Sequence, residues 1–149
     1  MTLPLKIYTI GFAHKRAEVF FEALRASGAK RVVDVRLYNT SQLAGFSKKD
    51  DLRYFLQHIL EMDYVHLPVL APMPEILDAY KNHQIDWASY ERQFCELLKE
   101  RGVEKRIDPA MMNGACLLCS EARPDHCHRR LVAEYLRQHW SAEIQIEHF

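Results

Sequence analysis

The segment Arg31-Val32-Val33-Asp34-Val35-Arg36 predicts a strand of a parallel sheet. Its centre is rich in β-branched residues, as in strands that helices cover on both faces. A first strand over Lys6 to Gly11 precedes it, and four apolar residues follow at helical spacing before Gly28: Ala17, Phe20, Phe21 and Leu24. The first third of the chain is therefore predicted as strand, helix and strand.

The same alternation continues through the middle of the chain. Ser47 and Asp50 form a capping-box pattern before a stripe of apolar residues: Leu52, Phe55, Leu56, Ile59 and Leu60. A third strand is predicted over Tyr64 to Leu67 and a short helix over Glu75 to Tyr80. Asp86 is the expected N-cap of a longer helix that ends at Gly102.

The last third begins with an irregular connection, predicted over Val103 to Asn113. Ala115 to Cys119 then has the composition of a buried strand, and Cys127 to Trp140 has helical periodicity. Ile144 and Ile146 alternate with polar residues in a last strand over Glu143 to His148. Strands that alternate with helices predict an α/β fold with a mostly parallel sheet of about five strands and helices on both faces.

Length and composition favour one α/β domain over residues 1–149, since 48% of the residues are hydrophobic. Twenty basic residues balance twenty acidic ones, so no overall charge attracts nucleic acid or an anionic membrane. No segment has the pattern of a secretion signal or a membrane span, so we expect no membrane partner. Four cysteines, three of them clustered, favour a reducing compartment, and we expect a cytoplasmic location.

Three polar segments lie at or just after predicted strand ends: Gly11 to His14, Asp34 to Arg36, and Cys119 to Arg129. Ligands of parallel α/β sheets bind beyond the carboxyl ends of the strands. We therefore expect one pocket lined by Gly11, His14, Asp34, Arg36, Cys119, Glu121, Cys127, His128 and Arg129.

These segments also resemble a known family, domain of unknown function 488, over nearly the whole chain. The resemblance rests on Thr9-Ile10-Gly11-Phe12, Asp34-Val35-Arg36, Leu43-Ala44-Gly45-Phe46, Leu118-Cys119-Ser120-Glu121 and Cys127-His128-Arg129. It implies a Rossmann-like fold with a shared polar pocket, but it implies no activity. Many members have glycines where this chain has Val69-Leu70-Ala71-Pro72, so one wall of the pocket is expected to differ.

An anion site is the first hypothesis for this pocket. If Cys127 to Arg130 begins a helix, the free N–H groups of that turn attract phosphate or carboxylate, and an arginine can bind the anion through two nitrogens. We assign Gly11, His14, Arg36 and Arg129 to anion binding. The alternative is that the arginines are only solvated or pair with Glu121 or Asp125.

A metal site is the second hypothesis, because Cys116 and Cys119 are followed by Cys127 and His128. Cys116 and Cys119 point to opposite faces of a strand, and neighbours on a helix diverge by about 100°. A smaller set of Cys119, Glu121 and either His128 or Cys127 stays open. We assign no metal ligands, the identity of any cofactor stays open, and we expect Cys95 and Cys116 to be core residues.

Thiol chemistry is the third hypothesis. Cys127 at a helix N-terminus beside His128 and Arg129 is a candidate thiolate, with Cys119 as nucleophile or resolving partner. The alternative is that these cysteines are inert, since neither a Cys-x5-Arg loop nor a C-x-x-C pair at a helix start is present.

Acid and base catalysis by Asp34 or Glu121 is the fourth hypothesis, because burial and a nearby arginine have opposite effects on a carboxyl pKa. The equal alternative is a structural ion pair with Arg36 or Arg129. Together these residues predict an enzyme that acts on a phosphate-bearing small molecule or a nucleic-acid component. The assigned catalytic residues are Asp34, Cys119, Glu121, Cys127 and His128; the alternative function is a non-catalytic module that binds anions or nucleic acid. The sequence does not indicate the oligomeric state.

Overall fold

Five strands form one parallel sheet in the computed structural model, which describes residues 5–40, 45–121, 123–140 and 143–149. The order across the sheet is β3-β2-β4-β1-β5. Their bounds are β1 (Leu5–Gly11), β2 (Arg31–Asp34), β3 (Asp63–His66), β4 (Ala115–Cys119) and β5 (Ile144–His148). The predicted α/β class and parallel sheet are confirmed.

Seven helices connect the strands within the described residues. They are α1 (Ala17–Ser27), α2 (Lys49–Leu60), α3 (Pro74–Lys81), α4 (Trp87–Arg101), α5 (Val103–Arg106), α6 (Pro109–Met112) and α7 (His128–His139). The irregular connection predicted over Val103 to Asn113 is wrong, because α5 and α6 occupy it. Asp108 caps α6 by accepting a hydrogen bond from the Ala110 N–H at 2.9 Å, and Pro109 takes the first helical position.

Helices cover both faces of the sheet, as the sequence predicts. Apolar residues of α1 and α2 pack on one face around Ile10, Val32 and Leu118. Residues of α3 to α7 pack on the other face around Ile7, Val33 and Leu117. Residues 116 and 119 lie in the two different clusters, so Cys116 and Cys119 do face opposite sides of β4.

The helix ends agree with the sequence at three positions and differ at one. Gly28 and Gly102 end α1 and α4 in the left-handed conformation, with φ of 76° and 61°, and Asp86 caps α4 through the Ser89 N–H. The capping box at Ser47 is wrong. Ser47 is buried in a short 3₁₀ helix over Gly45–Ser47, and α2 begins after Lys48, which makes no side-chain cap.

The three polar segments meet at the carboxyl edge of the sheet. In the strand register Gly11 is opposite Cys119 and Asp34 is opposite Leu118. The Ala13 N–H donates to Ser120 O at 2.9 Å and the Val35 N–H to Leu118 O at 3.1 Å, so the segments stay adjacent beyond the strands. In the described part of the chain, no helix combines the length and the apolar character needed to cross a bilayer.

Candidate functional site

A cleft of about 130 Å³ opens at the carboxyl edge of the sheet, on the face that α3, α4 and α7 cover. The end of β4 and the segment that follows β2 form its floor, and α3 and α4 supply one wall. The aromatic part of that wall is built from Tyr80, Trp87 and Tyr90, where the rings of Trp87 and Tyr90 stack at a centroid distance of 5.0 Å. The cleft therefore combines flat apolar surfaces with the polar residues at the strand ends.

Five of the nine residues predicted for one pocket line this cleft: Arg36, Cys119, Glu121, Cys127 and His128. The other four, Gly11, His14, Asp34 and Arg129, are not part of its lining. The structure therefore brings the sulfur, imidazole and Glu121 carboxylate groups together, and it places the Asp34 carboxylate outside the cleft lining.

Cys119 and Cys127 place their sulfur atoms in direct contact at the floor of the cleft. Cys119 is the last residue of β4 and Cys127 is the N-cap of α7, with a Cα separation of 7.5 Å. The side chains are only 1% and 2% exposed. The other two cysteines, Cys95 and Cys116, are free.

His128 connects the start of α7 to the end of β2. Its Nε2 donates to the backbone carbonyl of Val35 at 2.6 Å, because a carbonyl can only accept. Burial lowers the pKa of His128 to about 4, so the imidazole is neutral near pH 7. With the proton on Nε2, the Nδ1 atom is an acceptor.

Glu121 follows β4 and supplies an exposed carboxylate to the cleft. Opposite it, Tyr90 is almost fully buried, and burial together with the charges of Tyr80 and Glu121 raises the pKa of Tyr90. Tyr90 therefore keeps its hydroxyl proton at neutral pH. The cleft presents a carboxylate acceptor and a protonated phenol.

Asp34 belongs to a buried network on the opposite face of the sheet. Val33 and Val35 pack on the α3 to α7 side, so the alternating side chain of Asp34 faces α1 and α2. Its carboxylate accepts from Arg36, Asn39 and the Tyr64 hydroxyl. Burial raises the pKa of Asp34, but the hydrogen bonds and charge of Arg36 outweigh it and hold the pKa below its usual range. The structural ion pair proposed as the alternative for Asp34 is the arrangement present.

Arg129 is fully buried and bonds to main-chain carbonyls. Its Nη1 donates to Glu121 O at 2.6 Å and its Nη2 to Phe149 O at 3.3 Å, while Nη1 also lies 3.7 Å from the Cys119 sulfur. Burial lowers the pKa of Arg129 to about 10, which leaves the guanidinium charged at pH 7. The sequence placed the Arg129 side chain above the first turn of α7, facing an external anion. In the structure the side chain lies in the interior instead.

Gly11 and His14 also differ from the expected anion site. A Cβ added at Gly11 would overlap Glu121 O and the Arg129 guanidinium, so the absence of a side chain lets β1 approach the loop after β4. His14 is exposed in a turn with φ of 60°, and next to it the Lys15 ammonium donates to Gly11 O at 2.7 Å. Gly11 therefore has a packing role.

Comparison with known proteins identifies a family. The family model described as "Domain of unknown function DUF488" matches residues 16–136, which is most of the chain. The chain belongs to the DUF488 family. No curated protein and no solved structure matches it.

Within this DUF488 chain, the matched region contains the Asp34-Val35-Arg36 segment and the two cysteine segments that line the cleft. Leu43 and Ala44 of the resemblance lie outside the described residues. Pro72, which ends the Val69-Leu70-Ala71-Pro72 segment, is part of the cleft wall.

In the described ranges of the DUF488 chain, no three His, Cys, Asp or Glu side chains are placed to share one metal ion. Of the two cysteines expected in the core, Cys116 is fully buried, whereas Cys95 is only half-buried on α4.

Several cleft residues of the DUF488 chain were not predicted from the sequence. They are Leu37, Tyr38, Leu77, Tyr80, Lys81, Trp87, Tyr90, Ser120 and His126. Trp87 and Tyr90 lie in the first turns of α4, a helix that the sequence predicted without assigning any of its residues to the site. The available signal was their position directly after the Asp86 cap, since residues at a helix start can face a cleft edge.

Proposed function

We propose that this DUF488 protein is an enzyme that acts on a phosphate-bearing small molecule with a flat ring, such as a nucleic-acid component. The observation that supports it is the combination in one cleft of stacked aromatic walls with two cysteine sulfurs, an acceptor imidazole and an exposed carboxylate. Aromatic faces stack on bases independently of their sequence, with about 1–3 kcal/mol per base.

The start of α7 is the position we propose for the phosphate. The first N–H groups of a helix have no partners within the helix, and the helix dipole favours an anion there. Cys127 makes no side-chain cap that would occupy these groups, and the exposed Lys81 ammonium lies on the same cleft. Arg36 and Arg129, which the sequence assigned to this task, are engaged with Asp34 and with main-chain carbonyls.

Among the carboxylates, Glu121 is our candidate for acid and base catalysis. Asp34 accepts several hydrogen bonds on the other face of the sheet and has a lowered pKa, so it holds no proton near pH 7. Glu121 lines the cleft beside Cys119, and the neutral His128 offers Nδ1 as an acceptor for a substrate hydroxyl or amine. A cytoplasmic location fits this proposal, because a reducing compartment keeps Cys119 and Cys127 as thiols.

The test is a fluorescence titration of the purified chain with adenosine monophosphate, adenosine and ribose 5-phosphate. Trp87 lies in the cleft, whereas the Trp140 indole donates to Glu104 O away from it. We expect adenosine monophosphate to bind most tightly, and the signal to disappear in Trp87→Phe but persist in Trp140→Phe. No binding of any of the three with a Kd below about 1 mM would overturn the proposed ligand class.

Turnover is tested on whichever ligand binds, by analysing the products with mass spectrometry. We expect Glu121→Gln to retain binding and lose turnover, because the amide cannot transfer a proton. Binding without turnover in the wild-type chain would instead support the non-catalytic module.

A further inference from the structure

We propose that Cys119 and Cys127 form a thiol–disulfide exchange pair whose substrates are small organic disulfides. This activity depends on the two sulfur atoms and not on the phosphate ligand proposed above. The primary observation is that the structure brings these two sulfur atoms into contact at the floor of an open cleft.

The pair joins two elements that are separate in sequence. Cys119 is fixed at the end of the central strand β4, and Cys127 stands eight residues later at the first turn of α7. Their Cα atoms are 7.5 Å apart. Exchange at this pair therefore links the end of β4 to the start of α7.

Each sulfur lies beside a feature that stabilises a thiolate, which is the reacting form. The positive charge of Arg129 lies 3.7 Å from the Cys119 sulfur at its Nη1 atom. Cys127 is the N-cap of α7, where the helix dipole and the free N–H groups stabilise an anion. A buried cation beside one sulfur and a helix start beside the other are the two features that commonly activate cysteines.

The other two cysteines are controls within the same chain, because neither lines the cleft nor stands at a helix start. Cys116 is buried on the opposite face of β4, and burial raises the pKa of its thiol. Cys95 is half-buried on α4, and burial and the charges of Glu91 and Glu134 raise its thiol pKa. We assign exchange to Cys119 and Cys127 alone.

The reaction proceeds in two substitutions on a small disulfide R–S–S–R. The Cys127 thiolate attacks one sulfur, so the R–S–S–R bond breaks, a mixed disulfide forms on Cys127 and one R–S⁻ leaves. The Cys119 thiolate then attacks the Cys127 sulfur and releases the second R–S⁻. The two cysteine protons pass through solvent to the two leaving thiolates, and two electrons move from the protein to the small disulfide, which becomes two R–SH.

Cys127 is assigned the first attack because it borders the exposed loop that contains Asp125 and His126, while Cys119 ends a strand buried throughout. The experiment treats the reduced full-length protein with oxidised glutathione, without any phosphate ligand. Free thiols are counted in the denatured protein, and the modified residues are mapped by peptide mass spectrometry. The variants are Cys119→Ser, Cys127→Ser, Cys95→Ser and Cys116→Ser, each with its circular dichroism spectrum recorded.

We expect the wild-type chain to lose two of its four thiols and to yield a Cys119–Cys127 linked peptide. Cys95→Ser and Cys116→Ser should behave in the same way. Cys119→Ser should stop at one glutathione adduct on Cys127, and Cys127→Ser should react at least about tenfold more slowly than the wild type.

The result with the wild-type protein tests the exchange pair by itself, so the test does not depend on whether every variant folds. Retention of all four thiols, or an adduct that accumulates on Cys95, would overturn the exchange pair. A stable adduct on Cys119 in Cys127→Ser, with no adduct in Cys119→Ser, would overturn the assigned order of attack. Failure of the adenosine monophosphate titration leaves these results unaffected.

Discussion

Arg36 binds both oxygens of the Asp34 carboxylate, with 2.9 Å from Nε to Oδ1 and 2.8 Å from Nη2 to Oδ2. Both side chains are buried, so neither charge has bulk water as an alternative partner. Asn39 and Tyr64 add further donors to Asp34. This network holds the chain where it leaves β2, next to the residues that enter the cleft.

Arg36→Met is expected to lower the free energy of unfolding by about 3–5 kcal/mol, because it leaves a buried carboxylate without its counter-ion. Urea denaturation measures the change. The double variant Arg36→Met with Asp34→Asn should recover part of the loss. The matched control is Arg16→Met, which breaks an exposed pair with Glu18 and should cost less than about 1 kcal/mol; equal losses in the two arginine variants would contradict the prediction.

Gly11→Ala is expected to destabilise the protein by at least about 1–3 kcal/mol, the usual range for overpacking. The new Cβ would overlap the carbonyl oxygen of Glu121, which the main chain cannot easily move. Gly45→Ala is the matched control, since a Cβ there meets no atom of the described residues within 4 Å. Thermal unfolding of both variants checks the prediction, and a Gly11→Ala protein as stable as Gly45→Ala would refute it.

Acidification below pH 6.5 is expected to destabilise the fold through His128. Its pKa is about 4 in the folded chain against an ordinary value of 6.5, so the unfolded chain takes up the proton first as the pH falls. The decrease in the free energy of unfolding grows between pH 6.5 and pH 4 and reaches about 3 kcal/mol. Urea midpoints between pH 7.5 and pH 4 measure it.

His128→Asn should flatten that part of the stability profile, whereas the same change at the exposed His14 should keep the wild-type slope. A wild-type profile that is level from pH 7 to pH 4.5 would show that His128 is not held neutral by the fold.

Arg129→Ala is expected to lower the free energy of unfolding by about 3 kcal/mol or more, because Glu121 O and Phe149 O lose a charged donor. Glu121→Ala should not rescue the variant, since the acceptor is the main-chain carbonyl. Arg123→Ala, in the same loop but exposed, should have little effect. An Arg129→Ala protein of normal stability that no longer binds phosphate ligands would restore the anion-anchor hypothesis.

Local sequence patterns predicted most of the fold, because strand composition, helix ends and helix caps are set by residues close together in the chain. The β-branched run at Val32 and Val33, the left-handed Gly28 and Gly102 and the Asp86 cap each depend on neighbouring residues alone. Asp108-Pro109 carried an equally local helix-start signal that the prediction overlooked. The capping box predicted at Ser47 was wrong for the opposite reason. Ser47 is buried in a 3₁₀ turn, and that burial depends on tertiary packing.

The sequence predicted which edge of the sheet carries the candidate site. It did not predict which face of the sheet each polar side chain points to. Parallel strand ends must share an edge, so Gly11, Asp34 and Cys119 were expected together. Which side of the sheet each polar group faces depends on the strand register and on the crossover of each helix. For that reason Asp34 lies under α1 and α2, and the aromatic wall from α4 was not expected.

The strand at the centre of the sheet is the fourth along the chain, and β4 pairs with both β1 and β2. Without Ala115–Cys119, no hydrogen-bonded neighbour connects β1 to the β2–β3 pair. Ribosomes extend a chain from the N-terminus at about 5–20 residues per second. The sheet is therefore completed only after β4 has been synthesised. A nascent chain halted before Ala115 exposes strand edges to chaperones and proteases.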